Sequence, residues 1–405
     1  MSVVSIFSGS FCGAEEVALE VADRLGCPLL RDEDLIGKAV KEGGPSAEIL
    51  RRAMYGRTSV FNQFSHEKER AVCWLKVAMA MLLEKEDLVF QGFAAQLIPN
   101  YISHVLEICL IAETRHRADR AAREQGLSQK EALARVHRDD EAAIRWVEYQ
   151  RGREPWDPQM YDILLPMDKT SIDEAVGAIC AHAKDKPLIA TDSSRQAVKD
   201  FLLAARLEKA LAAEGHNPRH LKVVARSGVA NIMINKTVMR LHKLAEELEK
   251  QARQVPGVDQ VTVEPGPDYY QADVYRRADF RLPSKVLLVD DEREFVQTLS
   301  ERLMLREIGS AVVYDGEEAL RLVAEDEPEV LVLDLKMPGI DGMEVLRRLK
   351  RDYPKVEVII LTGHGSERDK EACMQMGAFA YLEKPVDIDQ LSQVMQEAYE
   401  AVRGR

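Results

Sequence analysis

The chain has 405 residues, with 68 acidic against 55 basic side chains and a formal net charge of −13. That length holds roughly two to four domains, and the sign of the charge is wrong for a protein that wraps nucleic acid through phosphate contacts. Hydrophobic residues at 46% and charged residues at 30% exclude a disordered or fibrous chain. The opening MSVVSIFSGSFCGAEE has neither a basic region nor a long apolar stretch, and no later run approaches membrane length. A cytoplasmic protein without a signal peptide or membrane span is expected. Cys12, Cys27, Cys73, Cys109, Cys180 and Cys373 form no C-x-x-C pair and read as buried free thiols.

The first segment, residues 1–185, opens with a strand-like VVSIF, a loop, and a helix through Ala18 and Val21. Further strands are expected near Val89 and Cys109, a buried apolar helix over Trp74 to Leu83, and long charged helices from Thr114 to Gln150. The loop, Ser8 to Glu16, carries Gly9 and Gly13 where a phosphate-binding loop needs close backbone approach. No Lys follows, and Glu15 and Glu16 at the helix start compete with a phosphate for the helix dipole. The set formed by this loop, Arg31 to Ile36, Phe90-Gln91-Gly92, Arg117 to Arg120, Glu124 to Ser128, Trp156-Asp157-Pro158 and Tyr161-Asp162 resembles the cytidylate kinase-like family over about residues 1–183. The resemblance implies a P-loop-kinase-like α/β domain. Family members with a working loop keep a basic residue where Ala14 and Glu15 stand, an Arg at Phe93 and an Arg at Ala143. Each departure removes positive charge from a transferring phosphoryl group, so no phosphoryl transfer is expected and nucleotide binding is left open. Arg115, Arg117, Arg120 and Arg123 read as a solvated helix face, with anion binding as the alternative.

The middle segment, residues 186–275, shows an apolar stripe at Ala197, Phe201, Ala204 and Leu207, strands on either side of Ser227-Gly228, a helix through Leu241, Leu244 and Leu248, and a last strand after Pro256-Gly257. This small α+β domain of order αββαβ resembles a BON domain, which implies a binding or interaction module. His216 and His220 straddle Asn217-Pro218 and read as a turn, not a zinc site. Residues 276–283 read as a linker.

The last segment, residues 284–405, alternates five apolar runs with amphipathic helices, which specifies a doubly wound parallel sheet. Its strand ends carry Asp290-Asp291, Asp334, Thr362 and Lys384. Functional groups gather at such carboxyl ends. Converging carboxylates call for a hard divalent cation such as Mg²⁺, and an added Lys and Thr for an anion, with Asp334 as nucleophile for a phosphoryl group. His364 lies near this mouth. These residues, with Met337-Pro338-Gly339, Gly363 and Pro385, closely resemble the receiver domain of response regulators. The resemblance implies a flavodoxin-like (βα)5 fold of sheet order 2-1-3-4-5 and phosphorylation on Asp334. It also implies Mg²⁺ held by Asp290, Asp291, Asp334 and the Lys336 carbonyl, contact from Lys384, and a switch at Thr362 and Tyr381. The partner implied is a sensor histidine kinase or phosphotransfer protein.

The expected whole is a multidomain α/β response regulator whose receiver controls a nucleotide-kinase-like domain retained for binding. An active nucleoside monophosphate kinase and an interaction scaffold are the alternatives. No DNA-binding domain is visible in the sequence, the downstream protein partner is unidentified, and homodimer formation is left open.

Overall fold

The structure, a computed structural model, describes residues 2–85, 87–238, 240–269, 282–363 and 366–403. The expected linker, up to residue 281, and His364 lie outside the described residues. The three sequence segments form two compact units: Met1–Thr58 with Lys68–Tyr275, and Ser59–Glu67 with Arg276–Arg405.

In the first unit, β1 (Val3–Ser8), β2 (Leu29–Arg31), β3 (Val89–Gln91), β4 (Val105–Ile111) and β5 (Ile163–Pro166) pair in parallel in the order β2-β3-β1-β4-β5. Parallel strands need crossovers, and helices cover both faces. Alternation along β1 sends Val3 and Phe7 to a core with Leu75, Met79 and Trp146, and Val4 and Ile6 to one with Val17, Val21 and Ile179. The helix Glu67–Leu83 is buried along most of its length, as its composition predicts. The edge strands β2 and β5 are only three and four residues long, too short for a periodicity to announce them.

The middle segment folds in the expected order. Helix Asp192–Ala213, whose Thr191 cap accepts from Ser194 N, precedes β6 (Leu221–Arg226), β7 (Val229–Ile234), helix Leu241–Ala252 and β8 (Gln260–Pro265). β6 and β7 form an antiparallel hairpin, whereas β7 and β8 are parallel. Ser227 and Gly228 both take positive φ at the hairpin turn. Pro218–His220 form a short 3₁₀ turn, as the proline between the two histidines required. Helix Asp192–Ala213 belongs to two cores at once, with Val198, Phe201 and Leu202 in that of the first sheet and Leu203, Leu207 and Leu211 in that of the second. No break in packing separates the first and middle segments, because one helix serves both.

In the second unit, β9 (Val286–Val289), β10 (Ser310–Val313), β11 (Val330–Leu333), β12 (Glu357–Thr362) and β13 (Ala380–Glu383) form an all-parallel sheet in the order β10-β9-β11-β12-β13. This is the expected 2-1-3-4-5 arrangement. The helices that follow the strands start on side-chain caps at Asp315, Asp341 and Ser366.

All six cysteines are free, but Cys27 and Cys180 are half-buried, not buried. The first follows the Gly26 cap of a helix and the second lies on a helix with a solvated side. Among the described residues no helix is long and apolar enough to cross a membrane.

Candidate functional site

The carboxyl edge of the second unit's sheet assembles most of the predicted residues. Asp290 follows β9 and Asp334 follows β11, and both are buried. They are the central pair of the strand order, so their side chains emerge side by side. Asp334 N donates to the Val289 carbonyl at 2.9 Å, which fixes its backbone beside β9. Carboxylate oxygens of Asp290, Glu292 and Asp334 all lie within 4.8 Å of one another. Asp291, expected as a ligand, is exposed and outside this group. Glu292 is itself exposed, and its carboxylate reaches the group from the solvent side.

Lys384, after β13, reaches into the cluster. Its Nζ lies 2.7 Å from Asp290 Oδ2, 3.0 Å from Glu292 Oε1 and 3.6 Å from Asp334 Oδ2, and it also sits 4.3 Å from the centre of the Phe295 ring. Burial alone would lower the Lys384 pKa, but the hydrogen bonds to Asp290 and Glu292 outweigh it and raise it. Burial raises the Asp290 carboxyl, opposed by the bond from Lys384. Thr362 ends β12, is buried, and accepts through its carbonyl from Lys384 N at 2.9 Å. Tyr381 packs against the core below, and its buried hydroxyl has no hydrogen-bond partner. Lys336 is exposed in the loop after Asp334. Asp290, Asp334, Thr362 and Lys384 are thus brought to one edge, with the exposed carboxylate of Glu292, which sequence reasoning did not single out, within reach of Lys384.

The second candidate is the loop after β1. Gly13, at φ 78°, caps the helix Ala14–Leu25, giving the strand, loop and helix order of a phosphate-binding loop. The loop is filled from within. Arg117, only 5% exposed, donates from Nε to the Ser10 carbonyl at 2.7 Å and from Nη2 to Ser10 Oγ at 3.0 Å. Asp140 holds the same guanidinium through two oxygens at 3.0 and 2.5 Å. A Cβ on Gly9 would lie 3.1 Å from the Arg117 Cζ. Arg120 pairs with Glu16 and Glu124, and Arg31 with Glu15 at 3.1 Å. The expected solvated arginine face is therefore wrong for Arg117 and Arg120. A loop with no Lys and with Glu15 and Glu16 at its helix start draws guanidinium groups to itself.

Beside the loop opens a cavity of about 1110 Å³. Gly9, Tyr55, Arg57, Phe93 and Arg138 are among its lining residues. Asp32 forms part of its floor, where its carboxylate accepts from Tyr55 Oη at 2.6 Å, Phe93 N at 2.8 Å and Ala94 N at 2.9 Å. Gly92, at φ 147°, passes so close to this carboxylate that a Cβ would come within 2.4 Å of it.

Residues 3–169 match the model of the cytidylate kinase-like family, and residues 286–396 that of the response regulator receiver domain. The transcriptional regulatory protein GlrR of Escherichia coli is 36% identical over 118 residues, covering 29% of this chain and 27% of that protein. The response regulator MprA of Mycolicibacterium vanbaalenii is 36% identical over 110 residues, covering 27% of this chain and 48% of that protein. A receiver domain protein structure from Clostridium thermocellum is 35% identical, covers 29% of this chain and 96% of that chain, and has a TM-score of 0.29. The chain spans about a quarter to a half of the curated relatives it matches. The matched region coincides with the sheet that carries Asp334, so residues 286–396 are a response regulator receiver domain, in a chain whose residues 3–169 match the cytidylate kinase-like family.

Proposed function

We propose that this protein is a two-component response regulator that accepts a phosphoryl group on Asp334 from a histidine kinase or phosphotransfer protein. The observation that carries this reading is the half-buried Lys384 ammonium shared by Asp290, Glu292 and Asp334. Three carboxylates gathered around one cation are a poor structural motif but a suitable receptor for a divalent cation and a phosphoryl group. Their oxygens fit Mg²⁺, with Asp290, Asp291 and Asp334 as the expected carboxylates, the Lys336 carbonyl as the expected neutral donor, and Glu292 as a further carboxylate within reach. When bound, the cation neutralises charge on the phosphoryl oxygens. An Asp334 oxygen attacks phosphorus, the P–O bond forms as the P–N bond of the phosphohistidine breaks, and the imidazole leaves with a proton. Lys384 turns from its carboxylate partners toward the new dianion, and Thr362 donates its hydroxyl to it. Tyr381, whose hydroxyl has no partner to lose, follows Thr362.

The kinase-like domain binds a ligand without transferring phosphate. The Arg117 guanidinium, held by Ser10 and Asp140, occupies the loop that a nucleotide phosphate chain would need. The cavity beside it, walled by the rings of Tyr55 and Phe93 and by charges of both signs, among them Arg57, Arg138, Asp32 and Asp139, suits a planar polar ligand. A BON-like interaction role for the middle segment accords with its αββαβ order.

The test is incubation with acetyl phosphate and Mg²⁺ followed by intact-mass measurement. One phosphoryl group is expected, lost in Asp334→Asn; equal incorporation in that variant would sink the assignment. A coupled assay with ATP and CMP is expected to show no turnover, and turnover abolished by mutating Gly13 would restore the active-kinase reading.

A further inference from the structure

The receiver unit includes one piece of chain that its sequence does not predict. Ser59–Glu67, more than two hundred residues upstream, belong to it. Phe61 is fully buried in the cluster formed by Leu287, Leu331, Val323 and Leu346. Ser59 Oγ donates to Asp326 Oδ2 at 2.5 Å. Lys285 Nζ meets Glu67 at 2.6 Å and Asp326 at 3.6 Å. The Phe64 ring packs directly on Gly309, where a Cβ would fall 2.0 Å from a ring carbon.

The receiving residues share one location. Lys285 immediately precedes β9, Gly309 immediately precedes β10, and Asp326 lies on the approach to β11. The segment therefore seats at the amino edge of the parallel sheet, opposite the edge that carries Asp334 and Thr362. Two buried or half-buried aromatic rings and two polar anchors make this a specific docking site. Gly309 is the clearest mark of it, because its backbone has no positive φ and the three atoms nearest its absent side chain all belong to Phe64. Its missing Cβ makes room for the ring.

The ends of the segment are equally specific. Tyr55 and Arg57 line the cavity of the kinase-like domain, and Ser59 follows Arg57 by two residues. The chain departs at Thr58 and returns at Lys68, whose Nζ donates to Thr58 Oγ1 at 3.3 Å. We infer that Ser59–Glu67 is an intramolecular docking element, bound by the amino edge of the receiver, that fixes the Tyr55–Arg57 wall of the ligand cavity. Asp334 and Thr362 lie at the opposite edge of the same sheet from this segment.

The test is hydrogen–deuterium exchange on the full-length protein, comparing wild type, Gly309→Ala, Phe64→Ala and the double variant. Gly309→Ala is expected to raise exchange several-fold in the peptide containing Tyr55 and Arg57, with acetyl phosphate still modifying Asp334 at the wild-type rate. In the Phe64→Ala background, where the ring is gone, the added methyl at position 309 is expected to have no further effect. Unchanged exchange in Gly309→Ala would overturn the inference. So would an equal effect of the methyl in both backgrounds, because strain would then lie within the receiver itself. The inference rests on the cavity being a ligand site only for its consequence. Absence of phosphate on Asp334 in every variant would defeat the proposed function while leaving the exchange comparison decisive.

Discussion

Asp290, Glu292 and Asp334 carry three negative charges around the single ammonium of Lys384. Removing that ammonium leaves the buried carboxylates of Asp290 and Asp334 facing one another, with the exposed Glu292 beside them. Lys384→Ala is expected to lower the thermal midpoint of the receiver in EDTA and to regain much of the loss in Mg²⁺. Calorimetry of the same variant in the two buffers checks this, and an equal loss in both would show that Lys384 stabilises only by packing on Phe295. Away from the site, burial raises Glu107 to about 7, opposed by Arg151 at 3.4 Å. A carboxyl whose folded pKa is above its unfolded value binds more protons when folded, so its contribution falls as pH rises from about 4.5 to about 7. Thermal unfolding between pH 5 and 8 should show that decline in wild type and a shallower one in Glu107→Gln. At this scale Asp334, Thr362 and Lys384 were legible because each stands at the end of an apolar run. The approach of Glu292 was not, since its carboxylate meets Lys384 from an exposed position that no apolar pattern marks.

Helix Thr114–Gln125 and helix Gln129–Arg151 form a hairpin that packs Ala118 and Ala121 on Ala132 and Val136, with Arg117 from the first and Asp140 from the second pairing beside that seam and closing over Ser10. A run of arginines on a helix ordinarily faces water, and nothing in its spacing distinguishes Arg117. The available signal was indirect: a phosphate-type loop without its Lys and with Glu15 and Glu16 needs positive charge from elsewhere. Asp140→Asn leaves a buried guanidinium short of its charge partner and is expected to cost about 3 kcal/mol, read from chemical denaturation. Arg117→Met removes the charge as well as the pair and should cost less. If Asp140→Asn proved neutral, the hairpin would not depend on this pair. The short strands β2 and β5 were hidden for another reason, since three or four residues at a sheet edge carry no periodicity.

The architecture of the receiver followed from the pattern of its own five strands, because every crossover there is local in sequence. The packing together of the first two segments did not, because a helix with apolar residues on two sides looks, in one dimension, like an ordinary amphipathic stripe. Helix Asp192–Ala213 places Phe201 in one core and Leu207 in the next. Leu207→Ala, at a fully buried position, should therefore cost about 2 to 5 kcal/mol. It is also expected to shift the unfolding of both sheets together, seen as matched changes of exchange protection in β1 and β7. Separate transitions would show that the shared helix does not couple them.

The discontinuous receiver unit also bears on the birth of the chain. Ser59 and Asp326 are separated by 267 positions. A ribosome adding about 5 to 20 residues per second needs on the order of 13 to 53 s to cover that interval. Throughout that time Phe61 and Phe64 are outside the tunnel with no receiver to bury them. The first unit must mature around an unsatisfied apolar loop, which makes residues 59–67 the natural place for a chaperone to hold the nascent protein until its last hundred residues arrive.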